Sequence, residues 1–244
     1  MADLELCAAI SDAFGPSGYE KEAVDVIESS LGGLAAYRDS MQNLYVSLPQ
    51  NVGGRPLVML DAHTDEVGFM VQSITATGLL RIVPLGGWVE HNIPAHTFLL
   101  HNRRGETVRA VSTSKPPHLQ EAGESKKKIE LRDLYIDTGY PKEALEEKVS
   151  VGDAAGFFAP ALPLENRMVT SKALDDRICA FSILRAAETV DRAKLTTDVC
   201  ILLSGGEEIG YIGARTAAFA LCPDAAVALD VTNAHMPGGP RHKK

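Results

Sequence analysis

The chain has 244 residues, 45% of them hydrophobic and 23% charged, with a formal net charge of −8 at pH 7. That balance supports one large core or two modest ones in an ordinary globular protein. It excludes nucleic acid and anionic membranes as natural partners, since both need a clustered positive face.

The basic runs are short: SKKK from Ser125, lying between glutamates, and the terminal RHKK. Both read as solvated. The first segment, MADLELCAAI, carries acids where a secretory leader needs a basic start, and no apolar run reaches the length of a membrane span. A cytoplasmic protein is expected. Four cysteines, Cys7, Cys179, Cys200 and Cys222, form no CxxC pair and are expected as buried, reduced thiols.

In chain order, apolar positions recur at helical spacing in DLELCAAISDAF and GYEKEAVDVIESSL, with GPSG (Gly15 to Gly18) breaking the two runs. A strand-like NLYVSLP follows, then a Gly-containing loop and PLVML, which runs into DAHTDEVGFMV. From about Val71 to Ala159 the texture changes to short β-rich pieces, LLRIVPL, HTFLLHN and TVRAVST, separated by turn signals. This predicts a small barrel or sandwich, residues 71–159, inserted into an α/β unit formed by residues 1–70 and 160–244. In the second part ALDDRICAFSILRAAETV and YIGARTAAFAL are helical by period, while DVCILL and AAVALDV read as buried strands. Alternating strands and helices imply a mostly parallel sheet covered on both faces.

Ligands of such sheets bind beyond the carboxyl ends of the strands. That rule gathers acids that are far apart in sequence. PLVML leads to His63 and Asp65, DVCILL to Glu207 and Glu208, AVAL to Asp230, and Asp175 and Asp176 precede a helix. Each alone is explained as a helix cap, a turn residue or a first-turn acid. Together they would repel one another at a cost of several kcal/mol for each unpaired ion, about what desolvation imposes. Lys172 and Arg177 are the obvious cations in these loops, and they are too few. One histidine with several carboxylates and no cysteine suits zinc, cobalt or manganese, and a shared carboxylate could bridge two ions that activate a water. In an extended segment adjacent side chains diverge, so one of Glu207 and Glu208 would face metal and the other act as general base.

The motifs DAHTDEVGFMV, LGGWVEH, SKPPH, KALDDR, SGGEEIGYIGAR and LDVT, in this order, resemble those of the cytosolic dinuclear metallo-aminopeptidases of metallopeptidase family 42. That family includes TET-type and glutamyl aminopeptidases, and some members carry an endoglucanase label. The resemblance implies a zinc-peptidase-like α/β fold whose inserted β domain serves dimerisation, and an activity that removes N-terminal residues from short peptides. It implies His63, Asp175 and Asp230 as ligands of one divalent ion, Asp175 and Glu208 as ligands of a second, Glu207 as general base, and Asp65 as the acid that orients His63. It also implies a homo-oligomer, a dimer that can extend to a hollow dodecamer.

Two departures carry expectations. The family's last metal-binding histidine belongs far downstream of Asp230, so one site is expected to be defective and the chain to be a truncated or degenerate member, or one that needs another chain. His235 and His242 read as tail residues and not as substitutes. Cys179 stands where the family has glycine. The rival functions are a non-catalytic homologue that keeps the fold and self-association, and a glycosidase using Glu207 and Glu208, which would leave His63 and Asp230 without a role. His91, His96, His101 and His118 read as surface or interface residues of the inserted domain.

Overall fold

The computed structural model describes residues 2–119 and 128–234; His235, His242, the RHKK tail and the first three residues of SKKK lie outside them. Two helices, α1 (Ala2–Asp12) and α2 (Lys21–Ser29), come first, then strands β1 (Ala35–Arg38), β2 (Leu44–Ser47) and β3 (Leu57–His63). The chain next forms β4 (Gly68–Ile74), β5 (Leu80–Leu85), β6 (Thr97–His101), β7 (Thr107–Thr113), β8 (Tyr135–Asp137), the short helix α3 (Lys142–Glu146) and β9 (Ala154–Phe157). It returns through a hairpin of β10 (Leu162–Pro163) and β11 (Val169–Thr170) to α4 (Leu174–Thr189), β12 (Asp198–Ser204), α5 (Ile212–Leu221) and β13 (Ala225–Ala228).

The first unit is a five-stranded sheet in the order β1-β2-β12-β3-β13. Strands β12, β3 and β13 run parallel, while β2 is antiparallel to both β1 and β12. The sheet is therefore mixed, its antiparallel part being the β1–β2 hairpin. Strand β12 lies at the centre and is buried at every residue, which explains the unbroken apolar run that encodes it. Its side chains alternate: Val199, Ile201 and Leu203 enter the core beneath α1, α2 and α4, and Leu202 meets Met59 and Ala217 of α5 on the other face. On β2, Leu44 and Val46 join the larger core while Tyr45 points to the opposite face. AAVALDV does not form a buried strand. Among the described residues it pairs, as β13, only with β3 at the sheet edge, all four of its residues are exposed, and Phe219 of the neighbouring α5 is 85% exposed.

The second unit is a closed barrel, β4-β5-β8-β7-β6-β9. Alternate residues fill it, Phe98 and Leu100 from β6 and Val108 and Ala110 from β7, with Phe69, Leu80 and Ile136. A small barrel of this kind is a packed core and not a pore. It docks on the sheet unit through His101, whose ring stacks on Phe14 with centroids 3.8 Å apart, and through the hydroxyl of Tyr19, which donates to the carbonyl of Gly152. His96 is exposed and stacks on Phe157; His91 and His118 are exposed. Among the described residues no helix is long and apolar enough to cross a membrane.

The joint between the units is held by buried charge. Arg177, fully buried at the start of α4, donates to the carbonyls of Thr64, Ile10, Ser11, Ala13 and Gly15 and reaches Glu66 at 3.4 Å. Glu66 also accepts from the Gly15 amide at 3.0 Å and from Lys172 at 2.5 Å. One guanidinium thus ties the end of α1, the link from β3 to β4 and α4 together, a fork geometry that lysine lacks. Replacing it leaves several carbonyls without donors and Glu66 with one cation fewer. We expect Arg177→Met to lower the unfolding free energy by about 3–5 kcal/mol, and Arg177→Lys to recover only part of the loss, read from urea denaturation.

Candidate metal centre

The barrel leaves the sheet at the end of β3 and the chain comes back at the start of α4, so the insertion brackets the carboxyl ends of β3 and β12. His63 is the last residue of β3, buried, and paired in register with Ser204. The strand runs three residues further than the apolar run PLVML, because the ladder with β12 continues through Asp61, Ala62 and His63. Its Nε2 lies 3.2 Å from Oδ1 of Asp175 and 3.8 Å from Oε2 of Glu207. Two constellations share this imidazole: His63 with Glu207 and Glu208, and His63 with Asp175 and Asp230, each with its ligand atoms within 4.8 Å of one another. The geometry therefore collects His63, Asp175, Glu207, Glu208 and Asp230, and it groups Glu208 with Glu207 and His63.

The adjacent glutamates are not on an extended segment. Residues 205–210 form a turn, and both carboxylates come to the His63 side. Four successive main-chain N–H groups of this turn are taken by side chains: Gly205 by Oδ1 of Asn43 at 3.0 Å, Gly206 by Oε1 of Glu20 at 3.1 Å, and Glu207 and Glu208 by the two carboxylate oxygens of Asp65 at 3.0 and 3.1 Å. Gly206 has φ of +67°, a conformation that glycine adopts without strain. Gly213 abuts the turn so closely that a Cβ there would sit 2.3 Å from the carbonyl oxygen of Gly205.

Asp65 is fully buried, and its carboxylate also accepts from the Ser17 hydroxyl at 2.6 Å. Its main-chain carbonyl, not its carboxylate, is the hydrogen-bond partner of His63 Nδ1, at 3.0 Å against 3.5 Å for the carboxylate oxygen. The side chain acts on His63 by charge and on the two glutamates by hydrogen bonds. Burial would raise the Asp65 pKa, but the neighbouring imidazole, the Ser17 hydroxyl and the Glu207 N–H outweigh it and hold the carboxyl below its usual range. Burial works against a charged His63, yet Asp65, Glu207 and Asp176 push its pKa up to about 9.

Glu208, Glu207 and Asp176 shift opposite to Asp65. Burial raises Glu208 to about 7, with His63 opposing and Asp175 and Glu207 adding repulsion. Burial likewise raises Glu207, again with His63 opposing. Asp176 is 0% exposed, neither carboxylate oxygen has a hydrogen-bond partner among the described residues, and burial lifts it to about 6. The Cys179 thiol and His63 offset part of that lift, although the thiol does not meet hydrogen-bond geometry. Asp175 and Asp176 have non-helical backbone angles, so the regular part of α4 begins after them. Lys172 and Arg177, the cations of the adjoining loops, are committed to Glu66 and not to this cluster. A buried carboxylate without a partner beside four other acids and one imidazole is the donor chemistry that a divalent ion completes, and these ligand types suit zinc, cobalt or manganese.

The loop between β5 and the residues preceding β6 closes one side. At Gly86, φ +85°, a Cβ would lie 2.7 Å from Cγ1 of Val67 and 3.1 Å from Oε2 of Glu208. Reading the sequence singled out His63, Asp65, Asp175, Glu207, Glu208 and Asp230 but missed Ser17, Glu20, Asn43 and Glu66. Their only signal was a polar type at a position that turns out buried, which no local pattern announces. Of the cysteines, all with free thiols, Cys7 and Cys200 are buried as expected, Cys179 is half-buried and Cys222 is exposed just after α5.

The family model for the M42 glutamyl aminopeptidases matches residues 43–244. A lysyl aminopeptidase of Pyrococcus furiosus is 34% identical over 244 residues, covering 97% of this chain and 68% of the relative. A TET aminopeptidase from a marine sediment archaeon, Thaumarchaeota archaeon, has a TM-score of 0.92 at 33% identity, over 99% of this chain and 68% of that one. The Pyrococcus horikoshii TET1 peptidase, which can assemble into a tetrahedron or a large octahedral shell, has a TM-score of 0.83 at 28% identity, over 93% of this chain and 68% of that one. The chain spans about two thirds of the length of these relatives.

Asp65→Asn turns one acceptor oxygen toward the glutamate turn into an amide donor that faces another N–H. Because both oxygens are in use, no side-chain flip relieves the conflict. The expected loss is about 1–3 kcal/mol of stability in the metal-free protein, measured by chemical denaturation beside the wild type.

Proposed function

The chain belongs to the M42 glutamyl aminopeptidase family, and on that premise we propose that it is a metal-dependent aminopeptidase that releases N-terminal residues from short peptides. The observation that carries this reading is the convergence of two acidic constellations on the single imidazole of His63. His63, Asp175 and Asp230 would hold one divalent ion. Glu208, with Asp175 shared, would hold a second. When bound, such ions acidify a water and polarise the carbonyl of the scissile peptide bond.

The protein's own groups carry the remaining steps. Glu207 takes a proton from the attacking water as the new C–O bond forms, then returns it to the amine as the C–N bond breaks. Its position beside His63 and the raised proton affinity that burial gives it both suit a group that accepts a proton and then gives it up. Asp65 keeps this glutamate in place through its main-chain N–H. The substrate's free α-ammonium is attracted by the same acids, which favours a peptide terminus over an internal bond.

The chain is proposed to self-associate, as the TET1 relative does, with the barrel as the contact unit. A cytoplasmic location accords with four free thiols, since a reducing compartment keeps them so.

Glu207→Gln should retain bound metal while kcat on aminoacyl anilides falls by about 10²–10⁴-fold, and undiminished turnover would remove the base assignment. On this assignment the ion of His63, Asp175 and Asp230 would have three ligands among the described residues and the other would have two. Titration of the metal-free chain with Co²⁺ should therefore proceed in two steps, the tighter one abolished by His63→Ala; calorimetry showing equal steps, or a tight step that survives, would sink this ligand assignment.

A further inference from the structure

Glu20 stands at the N-cap position of α2, where a side chain ordinarily caps its own helix. It does not do so: no cap hydrogen bond is present, and the carboxylate turns the other way. Its Oε1 accepts the Gly18 N–H at 2.8 Å and the Gly206 N–H at 3.1 Å, and the residue is 2% exposed. A Cβ on Gly205 would come within 3.1 Å of the same oxygen, so the carboxylate packs directly against the paired glycines. A buried carboxylate in this position is unfavourable in itself; burial, with Asp65 nearby, raises its pKa to about 7. A residue used only to fill space would not carry that cost.

The same short loop delivers a second contact to the same turn. Ser17 donates to Asp65, and Asp65 accepts from Glu207 and Glu208. The segment from Gly15 to Glu20 thus grips the turn at two places, directly at Gly206 and through Asp65 one and two residues on. We propose that Glu20 is a positioning residue for the metal centre: by holding the N–H of Gly206 it sets where the carboxylates of Glu207 and Glu208 stand relative to His63. This rests on the metal-centre reading above. Glu20 touches no reacting atom, and its influence is geometric, passed through one main-chain bond to the two residues that follow.

Because one oxygen accepts both N–H groups, a carboxamide oxygen can replace it and an apolar side chain cannot. The test compares Glu20→Met, Glu20→Gln and Glu20→Asp in the full chain, using visible absorption during Co²⁺ titration of metal-free protein, aminoacyl-anilide kinetics and circular dichroism. Glu20→Met is expected to keep the wild-type dichroism, to bind cobalt about 10–100-fold more weakly with an altered band shape, and to lose kcat by about tenfold with KM changed less than about twofold. Glu20→Gln should restore the band and the affinity to near wild type. Should Glu20→Met not fold, Glu20→Asp carries the test, since its shorter arm withdraws the acceptor from Gly206 and should weaken cobalt in the same way.

Wild-type cobalt affinity and band shape in the methionine or the aspartate variant would overturn the inference, and so would a glutamine variant as impaired as the methionine one. A wild-type chain that takes up no cobalt overturns the metal centre and this inference together. Wild-type binding without hydrolysis overturns the peptidase reading alone, while the cobalt comparison still decides the role of Glu20.

Discussion

The carboxylate of Asp65 joins three segments that are distant in sequence, and the acidic cluster depends on it. It accepts from Ser17 in the loop between α1 and α2 and from the main-chain N–H groups of Glu207 and Glu208 after β12, while its own carbonyl holds the His63 ring at the end of β3. A buried carboxylate is tolerable when several donors surround it and an imidazole lies nearby, and Asp65 has both. The cluster's shape is therefore set by hydrogen bonds to main chain, which do not bend as readily as long side chains do.

Charge is distributed around this point in two compartments. On one side Glu66, Lys172 and Arg177 form a closed ionic group whose donors are spent on one another and on loop carbonyls. On the other side Asp175, Asp176, Glu207, Glu208 and Asp230 gather around His63, and the two cations of the neighbouring loops, Lys172 and Arg177, are paired with Glu66 instead. The first compartment is structural and joins barrel to sheet. The second is left electrostatically incomplete, which is the state a site must have if it is to bind something positive. The two lie within consecutive residues, Asp65 and Glu66, so the fold that builds the joint also builds the site.

Much of this was legible before any coordinates. The apolar run VCILL required a strand buried on both faces, and β12 is that strand. The β-rich texture after Val71 required a separate sheet, and the barrel supplies it. The acids at the strand ends converge as the rule for α/β sheets demands. Other features were not legible for definite reasons. AAVALDV has the composition of a core strand, but burial is decided by neighbours, and among the described residues β13 has one strand partner. The glutamate pair looked extended because two glycines follow a strand, yet four captured N–H groups bend it into a turn.

The amino-acid order alone determined which chemical groups are available and, through hydrophobic period, which strand ends carry them, because those properties are local. It named His63, Asp175, Glu207, Glu208 and Asp230 without any knowledge of distance. Only the tertiary structure decided that Asp65 would reach the glutamates' main chain while its carbonyl took the imidazole, that Arg177 and Lys172 would be consumed by Glu66, and that Glu20 would abandon its own helix for Gly206. Each of these is a choice among competing hydrogen-bond partners. Such choices are settled by which groups packing brings within about 3 Å in a place that water cannot reach.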